Sequence, residues 1–315
     1  MRLKLNKERA MSEAVAVTRE DLPFVSSREP SLSLVGITKG RVNYLAPTEE
    51  KPAIHVDPDG RRGVRDDVRY EAHDIEVWDA RHIADELSLD VNGFAFTRHE
   101  TEVGDFYDDE EVRGVYYAEM EQLIEQATGA VEVVVFDHTV RMDGGEAQDA
   151  RKPVRKVHGD YTPTSGLQRV RDLIAEDEAD LWLKGRFAII NVWRPIAGPV
   201  QTAPLAFIDT TSTLPEDFRT VDLVYPDRRG EIFGVAHSPD HRWFYFPDME
   251  RNEAVLIKTY DSAEDGRARY SAHSAFDDPK SSPDAAPRES IEVRALVRFP
   301  SDPVEAKLRM LGIRV

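Results

Sequence analysis

The 315-residue chain is 41% hydrophobic, enough for a substantial core in one large domain or two small ones, and its 59 acidic against 41 basic residues give a formal charge of −18. So acidic a chain repels nucleic-acid phosphates and anionic lipid surfaces, which argues against a nucleic-acid partner. It has no cysteine, which excludes disulfides, zinc–thiolate sites and a thiol nucleophile, so any metal must be held by His, Asp or Glu.

Met1-Arg2-Leu3-Lys4-Leu5 leads into charged residues rather than an apolar run, and no later stretch reaches the roughly 20 apolar residues of a membrane span. A soluble, cytoplasmic protein without a membrane partner is expected. Residues 1–40 read as a polar arm or irregular lead-in, followed by a single domain over 41–315. A short strand is expected over 41–45, then a Pro- and charge-rich connection over 47–67 and a strand over 68–77 from its alternation. A helical turn over 80–87 and a strand over 93–97 follow.

Val112, Tyr116, Met120, Leu123 and Ala127 recur at helical spacing, which predicts one amphipathic helix over 110–127 ending at Gly129. The β-branched run after it predicts a strand over 131–140. Gly144-Gly145 opens a polar loop, and a strand over 153–161 should follow. A helical connection over 162–183, capped by Thr164 or Ser165, then gives way to strands over 186–193, 205–209, 222–225, 243–246, 254–260, 267–276 and 291–299. Turn residues at short intervals suit an antiparallel sandwich or barrel rather than βαβ repeats. The expected fold is mainly β with flanking helices around a double-stranded β-helix, the jelly-roll or cupin-like core.

The chemistry concentrates at His158-Gly159-Asp160. Side chains on a strand alternate with period two, so His158 and Asp160 project together and can grip one metal. His273 lies among small residues that leave room for a metal and a substrate. Two histidines and a carboxylate on one face of Fe(II) leave the opposite positions open, the arrangement non-haem oxygenases need. Downstream, apolar residues at odd positions put Arg288, Arg294 and Arg298 on the other face of their strand. An inward arginine there is offset by a bidentate carboxylate, the alternative being that these arginines face water or pair with Glu292. His237 and His241 are four apart, but Pro239 opposes the helix that would align them. The remaining histidines read as surface or strand-end groups.

Several ordered blocks carry a resemblance from about Tyr116 onward. They include His158-Gly159-Asp160-Tyr161, Asn191-Val192-Trp193-Arg194-Pro195, His241-Arg242-Trp243-Phe244-Tyr245-Phe246, Lys258-Thr259-Tyr260-Asp261, Ala272-His273-Ser274-Ala275-Phe276 and Pro287-Arg288-Glu289-Ser290. Together they look like the hydroxylase/desaturase family that contains AsaB and the cephamycin methoxylation protein CmcJ, with gibberellin-desaturase-like members. The resemblance implies an Fe(II)- and 2-oxoglutarate-dependent dioxygenase that uses O2 to hydroxylate or desaturate a small secondary metabolite. It places the iron ligands on His158, Asp160 and His273, and the anchor for 2-oxoglutarate on Arg288 or Arg294, with Lys258 a third candidate. Tyr161, Asn191, Trp193, Arg194 and Tyr245 are candidate substrate-site residues, with core roles as the alternative. Some relatives carry methyltransferase labels, but no glycine-rich nucleotide turn follows a strand here. A catalytically silent accessory protein and a cupin-like metal isomerase or lyase are the rival functions. A homodimer is one possible assembly.

Overall fold

The computed structural model describes residues 36–56, 63–144 and 150–301; most of the arm expected over 1–40 lies outside the described residues, as does the end of the chain. Five strands form the smaller sheet, in the order β5 (Phe94–Arg98), β13 (Glu253–Asp261), β8 (Phe187–Ala197), β15 (Glu289–Arg298) and β6 (Glu132–Met142). The larger sheet begins with β1 (Ile37–Leu45), β4 (Tyr70–Asp79), β12 (Trp243–Tyr245), β9 (Leu205–Ile208) and β14 (His273–Ala275). It continues through β7 (His158–Gly159), β11 (Arg229–Val235), β10 (Phe218–Val224), β2 (Ala53–Val56) and β3 (Gly63–Asp66). From β6 onward the chain winds between the sheets: β6, β8, β13 and β15 fall in the smaller, β7, β9, β12 and β14 in the larger. This is the double-stranded β-helix that the strand order predicts.

Strand β15 explains how one sheet serves both core and site. Ile291, Val293, Ala295 and Val297 point one way, and the extended backbone sends Ser290, Glu292 and Arg294 the other way. The apolar row packs against Val112, Tyr116, Met120, Leu123 and Ile124 of the overlying helix. Each such fully buried aliphatic side chain contributes roughly 1.5–3 kcal/mol. The helix runs through Asp109–Glu111, a π-helical turn at Val112–Tyr116 and an α-helix at Tyr117–Thr128. Asp108 caps its start by accepting from the N–H groups of Glu110 and Glu111. Gly129 ends it at φ 69°, a left-handed position that suits glycine.

The expected helix over 162–183 is two helices, Pro163–Leu173 and Glu176–Lys184. Thr162, rather than Thr164 or Ser165, is the cap, and Ser165 returns the bond to its backbone. Ile174 between the helices is extended, and Glu176, Asp177 and Glu178 supply a new acidic first turn. The break lets both Val170 and Trp182 reach the cluster that holds Tyr161, Phe187 and Tyr260. Strands β2, β3 and β11 were not expected, and β1 starts at Ile37, inside the expected arm. The expected strands over 153–161 and 267–276 shrink to β7 and β14 because neighbouring backbone groups bond elsewhere. Val157 donates its N–H to the Asn43 carbonyl (2.8 Å) and Ser271 its N–H to the Lys258 carbonyl (2.9 Å). What remains of the ladder between β7 and β14 is His158 opposite His273.

Candidate metal centre

That single pairing brings two imidazoles together at the heart of the larger sheet, with ring centroids 4.5 Å apart. Asp160 lies in the bend after β7 and turns back, its Oδ1 3.5 Å from His158 Nε2. One ligand atom from each of His158, Asp160 and His273 lies within 4.8 Å of the others, the one such group among the described residues. The backbone aims both rings. His158 Nδ1 sits 2.7 Å from the Lys156 carbonyl, and His273 Nδ1 is 3.0 Å from the Ser271 carbonyl. Each carbonyl accepts the Nδ1 proton, which leaves the Nε2 lone pair free for a metal.

Burial, reinforced by the charges of His273 and Arg141, pulls the His158 imidazole down to about 4 despite the opposing pull of Asp160, so at neutral pH it is in its ligand form. Burial alone would raise Asp160. The neighbouring imidazoles of His273 and His158, the Arg294 guanidinium and the Asn191 amide overcome it and hold the carboxyl ionised, at about 2. Asn191 comes from β8 in the facing sheet and donates its Nδ2–H to Asp160 Oδ2 at 2.6 Å. Two imidazoles with Nε2 turned to the site and one anchored carboxylate fit Fe(II) and the 2-His-1-carboxylate pattern.

A pocket opens beside these groups, lined by Arg141, Val154, Trp193, Leu205, Ala275, Arg288 and Glu292. Arg288 is 2% exposed and lies with its guanidinium carbon 5.5 Å from the centre of the Trp193 ring. One of its N–H groups reaches the Ala203 carbonyl at 2.5 Å, while its buried Nε has no acceptor. Burial, then the charge of Arg141, lowers Arg288 to about 9, still cationic at neutral pH. Two residues on, at the start of β15, the buried Ser290 hydroxyl also lacks a partner.

The other expected residues divide by surroundings. Arg294 is held by Asp137 (2.8 Å) and Glu292 (2.9 Å), so its charge is already answered. Lys258 pairs with Asp90 and with Asp261 (3.0 Å), away from the pocket. Arg194 follows Trp193, so alternation puts it on the helix side, donating to the His99 carbonyl (2.5 Å) over the Tyr116 ring. Tyr245 packs edge-on against Phe276 in a core cluster with Ala206 and Trp243, and Tyr161 packs under the helices. Of the candidate substrate residues, Trp193 lines the pocket, and Asn191 reaches Asp160 instead. Arg141 and Ser290 were missed. Their signal was strand parity: Asp137, Thr139 and Arg141 share one face of β6, and Arg141 stands opposite Ser290.

A double-stranded β-helix with such a triad and a buried cation beside it defines a non-haem iron oxygenase scaffold. The family described as "Oxidoreductase/YMDC permease-like domain" matches residues 42–298. The hydroxylase/desaturase efuI of Hormonema carpetanum is 35% identical over 256 residues, 73% of this chain and 85% of that protein. The Fe(II)/2-oxoglutarate-dependent dioxygenase nvfI of Aspergillus novofumigatus is 35% identical over 234 residues, 71% of this chain and 83% of that one. The solved structure of the iron and alpha-ketoglutarate-dependent endoperoxidase NvfI superposes with a TM-score of 0.76 at 29% identity, covering 84% of this chain and 98% of that one. The chain belongs to this family of hydroxylase/desaturase-type Fe(II)/2-oxoglutarate-dependent oxygenases, as its ordered sequence blocks implied. Fe(II), 2-oxoglutarate and O2 are accordingly its cofactor and co-substrates. Among the described residues, no helix is long and apolar enough to cross a membrane.

Proposed function

We propose that this oxygenase oxidises an unactivated C–H bond of a small organic metabolite, by hydroxylation or desaturation, with His158, Asp160 and His273 holding the iron and Arg288 with Ser290 receiving the distal carboxylate of 2-oxoglutarate. The observation that carries this reading is the meeting of three ligand atoms within 4.8 Å beside a buried guanidinium and hydroxyl with unfilled hydrogen-bonding capacity. When bound, iron and 2-oxoglutarate supply the oxidising power, the co-substrate leaving as succinate and carbon dioxide.

The residues have separate tasks in this reading. The Lys156 and Ser271 carbonyls keep each imidazole in one tautomer, and Asn191 stops the Asp160 carboxylate from rotating. Val154, Leu205, Ala275 and Trp193 give the pocket apolar walls that displace water, and the small Ala275 leaves space next to His273. A charge of −18 supports a small-molecule substrate rather than a nucleic acid or an anionic membrane surface, and in this reading the enzyme works in the cytoplasm.

Anaerobic addition of Fe(II) and then 2-oxoglutarate should produce a visible charge-transfer band. His158→Ala and Asp160→Ala should lose that band and succinate release while staying folded. Iron-dependent succinate release retained in both variants would overturn the assignment. A folded wild-type protein with no band would instead favour a silent accessory role, and turnover without succinate an isomerase or lyase.

A further inference from the structure

One cation suffices to anchor a distal carboxylate, yet two guanidiniums line this pocket. Arg141, near the end of β6, stands directly opposite Ser290 in the antiparallel ladder, so its side chain emerges on the face that carries Ser290 and Arg288. It is only partly exposed. Of its five N–H groups, one reaches the Lys152 carbonyl at 3.1 Å, and among the described residues none reaches a carboxylate. Glu292, the carboxylate whose charge acts on it most strongly, is bonded to Arg294 at 2.9 Å.

Arg141 also occupies a middle position. It lines the same pocket as His158 on one side and Arg288 on the other. Two cations crowded in a partly dry pocket repel each other, and an anion between them turns that repulsion into attraction to both. Resting on the function proposed above, we infer that Arg141 and Arg288 close on one dicarboxylate from two sides, Arg141 being a second binding residue for 2-oxoglutarate that sets the preference for dicarboxylates over monocarboxylic 2-oxo acids. A monocarboxylic oxo acid would leave the pair of guanidiniums without a counter-charge.

The test compares wild type, Arg141→Met and Arg141→Lys in anaerobic Fe(II) titrations with 2-oxoglutarate and with 2-oxobutyrate, read by the charge-transfer band. Arg141→Met should weaken 2-oxoglutarate binding roughly 10- to 100-fold, as expected for loss of a charge-assisted hydrogen bond, and leave 2-oxobutyrate unchanged. Arg141→Lys, which keeps the charge without the planar fork, should fall between. Melting of the metal-free protein gives a readout independent of iron. Glutarate should raise the wild-type Tm and, at the same concentration, raise that of Arg141→Met markedly less. Without glutarate, Arg141→Met should melt no lower than wild type, since it removes a repulsion. A wild-type band that Arg141→Met reproduces at the same 2-oxoglutarate concentration overturns the two-sided grip alone. A wild type that gives no band with either oxo acid overturns the proposed function and the grip with it.

Discussion

Arg288, just before β15, and Arg294, within it, set the same residue type in opposite circumstances. They are six positions apart, an even spacing that alternation sends to one side. Within the strand, two carboxylates grip Arg294, and although burial opposes it, Glu292 and Asp137 raise its pKa further. Just before the strand, Arg288 is more enclosed, is lowered by burial and by Arg141, and keeps an Nε with nothing to bond. Position on a strand face therefore says little about an arginine's role. What separates a structural cation from a binding cation is whether the fold supplies its anion or leaves that to a ligand.

The contrast breaks most visibly in stability. Arg294→Ala should strand Glu292, a buried carboxylate, and cost about 3–5 kcal/mol in urea unfolding, as loss of one partner from a buried pair does. Arg288→Ala should cost little or nothing in the same experiment, because it removes an enclosed charge that no carboxylate answers. The next effect runs in the reverse direction. Arg288→Ala should weaken 2-oxoglutarate roughly 10- to 100-fold in the anaerobic titration, whereas folded Arg294→Ala should lose much less. Equal losses of affinity in the two variants would erase the distinction.

The alternation of β15 was legible from the sequence, and so were the convergence of His158 with Asp160 and the helix that ends at Gly129. The choice between the two arginines was not. One partner of Arg294, Glu292, is two residues away and was readable as an alternative; the other, Asp137, is on β6, where the register shifts between Arg294 and Ala295, so no local pattern announces that second pair. Lys258 escaped for a related reason: a bulge between Lys258 and Tyr260 interrupts the pairing of β13 with β8, and the side chain meets Asp90 from a distant loop. Arg194 is different, since strict alternation with Trp193 already excluded a shared face. Strands β2 and β3 escaped because the segment over 47–67 is rich in proline and charge, traits tolerated at the edge of a sheet, where β3 lies with β2 beside it.

Asn191 sharpens the comparison from the facing strand. It stands opposite Arg294 in the ladder with β8, yet it serves Asp160 rather than the ion pairs beside it. Asn191→Ala should therefore weaken Fe(II) binding roughly 10- to 100-fold, the usual scale for losing a hydrogen bond that orients a metal ligand, with little change in unfolding free energy. Equilibrium dialysis of iron against the variant is the check. Unaltered iron affinity would mean that Asp160 is positioned by its own backbone alone.

The smallest effect concerns the mirror image of Arg288, a buried acid over-supplied with cations. Glu253 on β13 is bonded by Arg81 at 2.9 and 2.8 Å and approached by Arg98 at 3.4 Å. Burial would raise its carboxyl, but the Arg81 guanidinium, the Glu250 N–H and Arg98 prevail and hold it below the ordinary value. A depressed folded value means that the native state keeps its charge at pH values where the unfolded chain has already taken a proton. The stability contributed is thus complete above the unfolded value, about 4.3, and is lost as the pH falls through the lower folded one. Because Arg81 and especially Arg98 reach water, the contribution should be only about 1 kcal/mol. Glu253→Gln should be less stable than wild type near neutral pH by that amount, and the two urea-unfolding curves should converge as the medium is acidified. A gap that stays constant across the acid range would assign the loss to packing, and would remove Glu253 from the set of residues whose charge the fold itself answers.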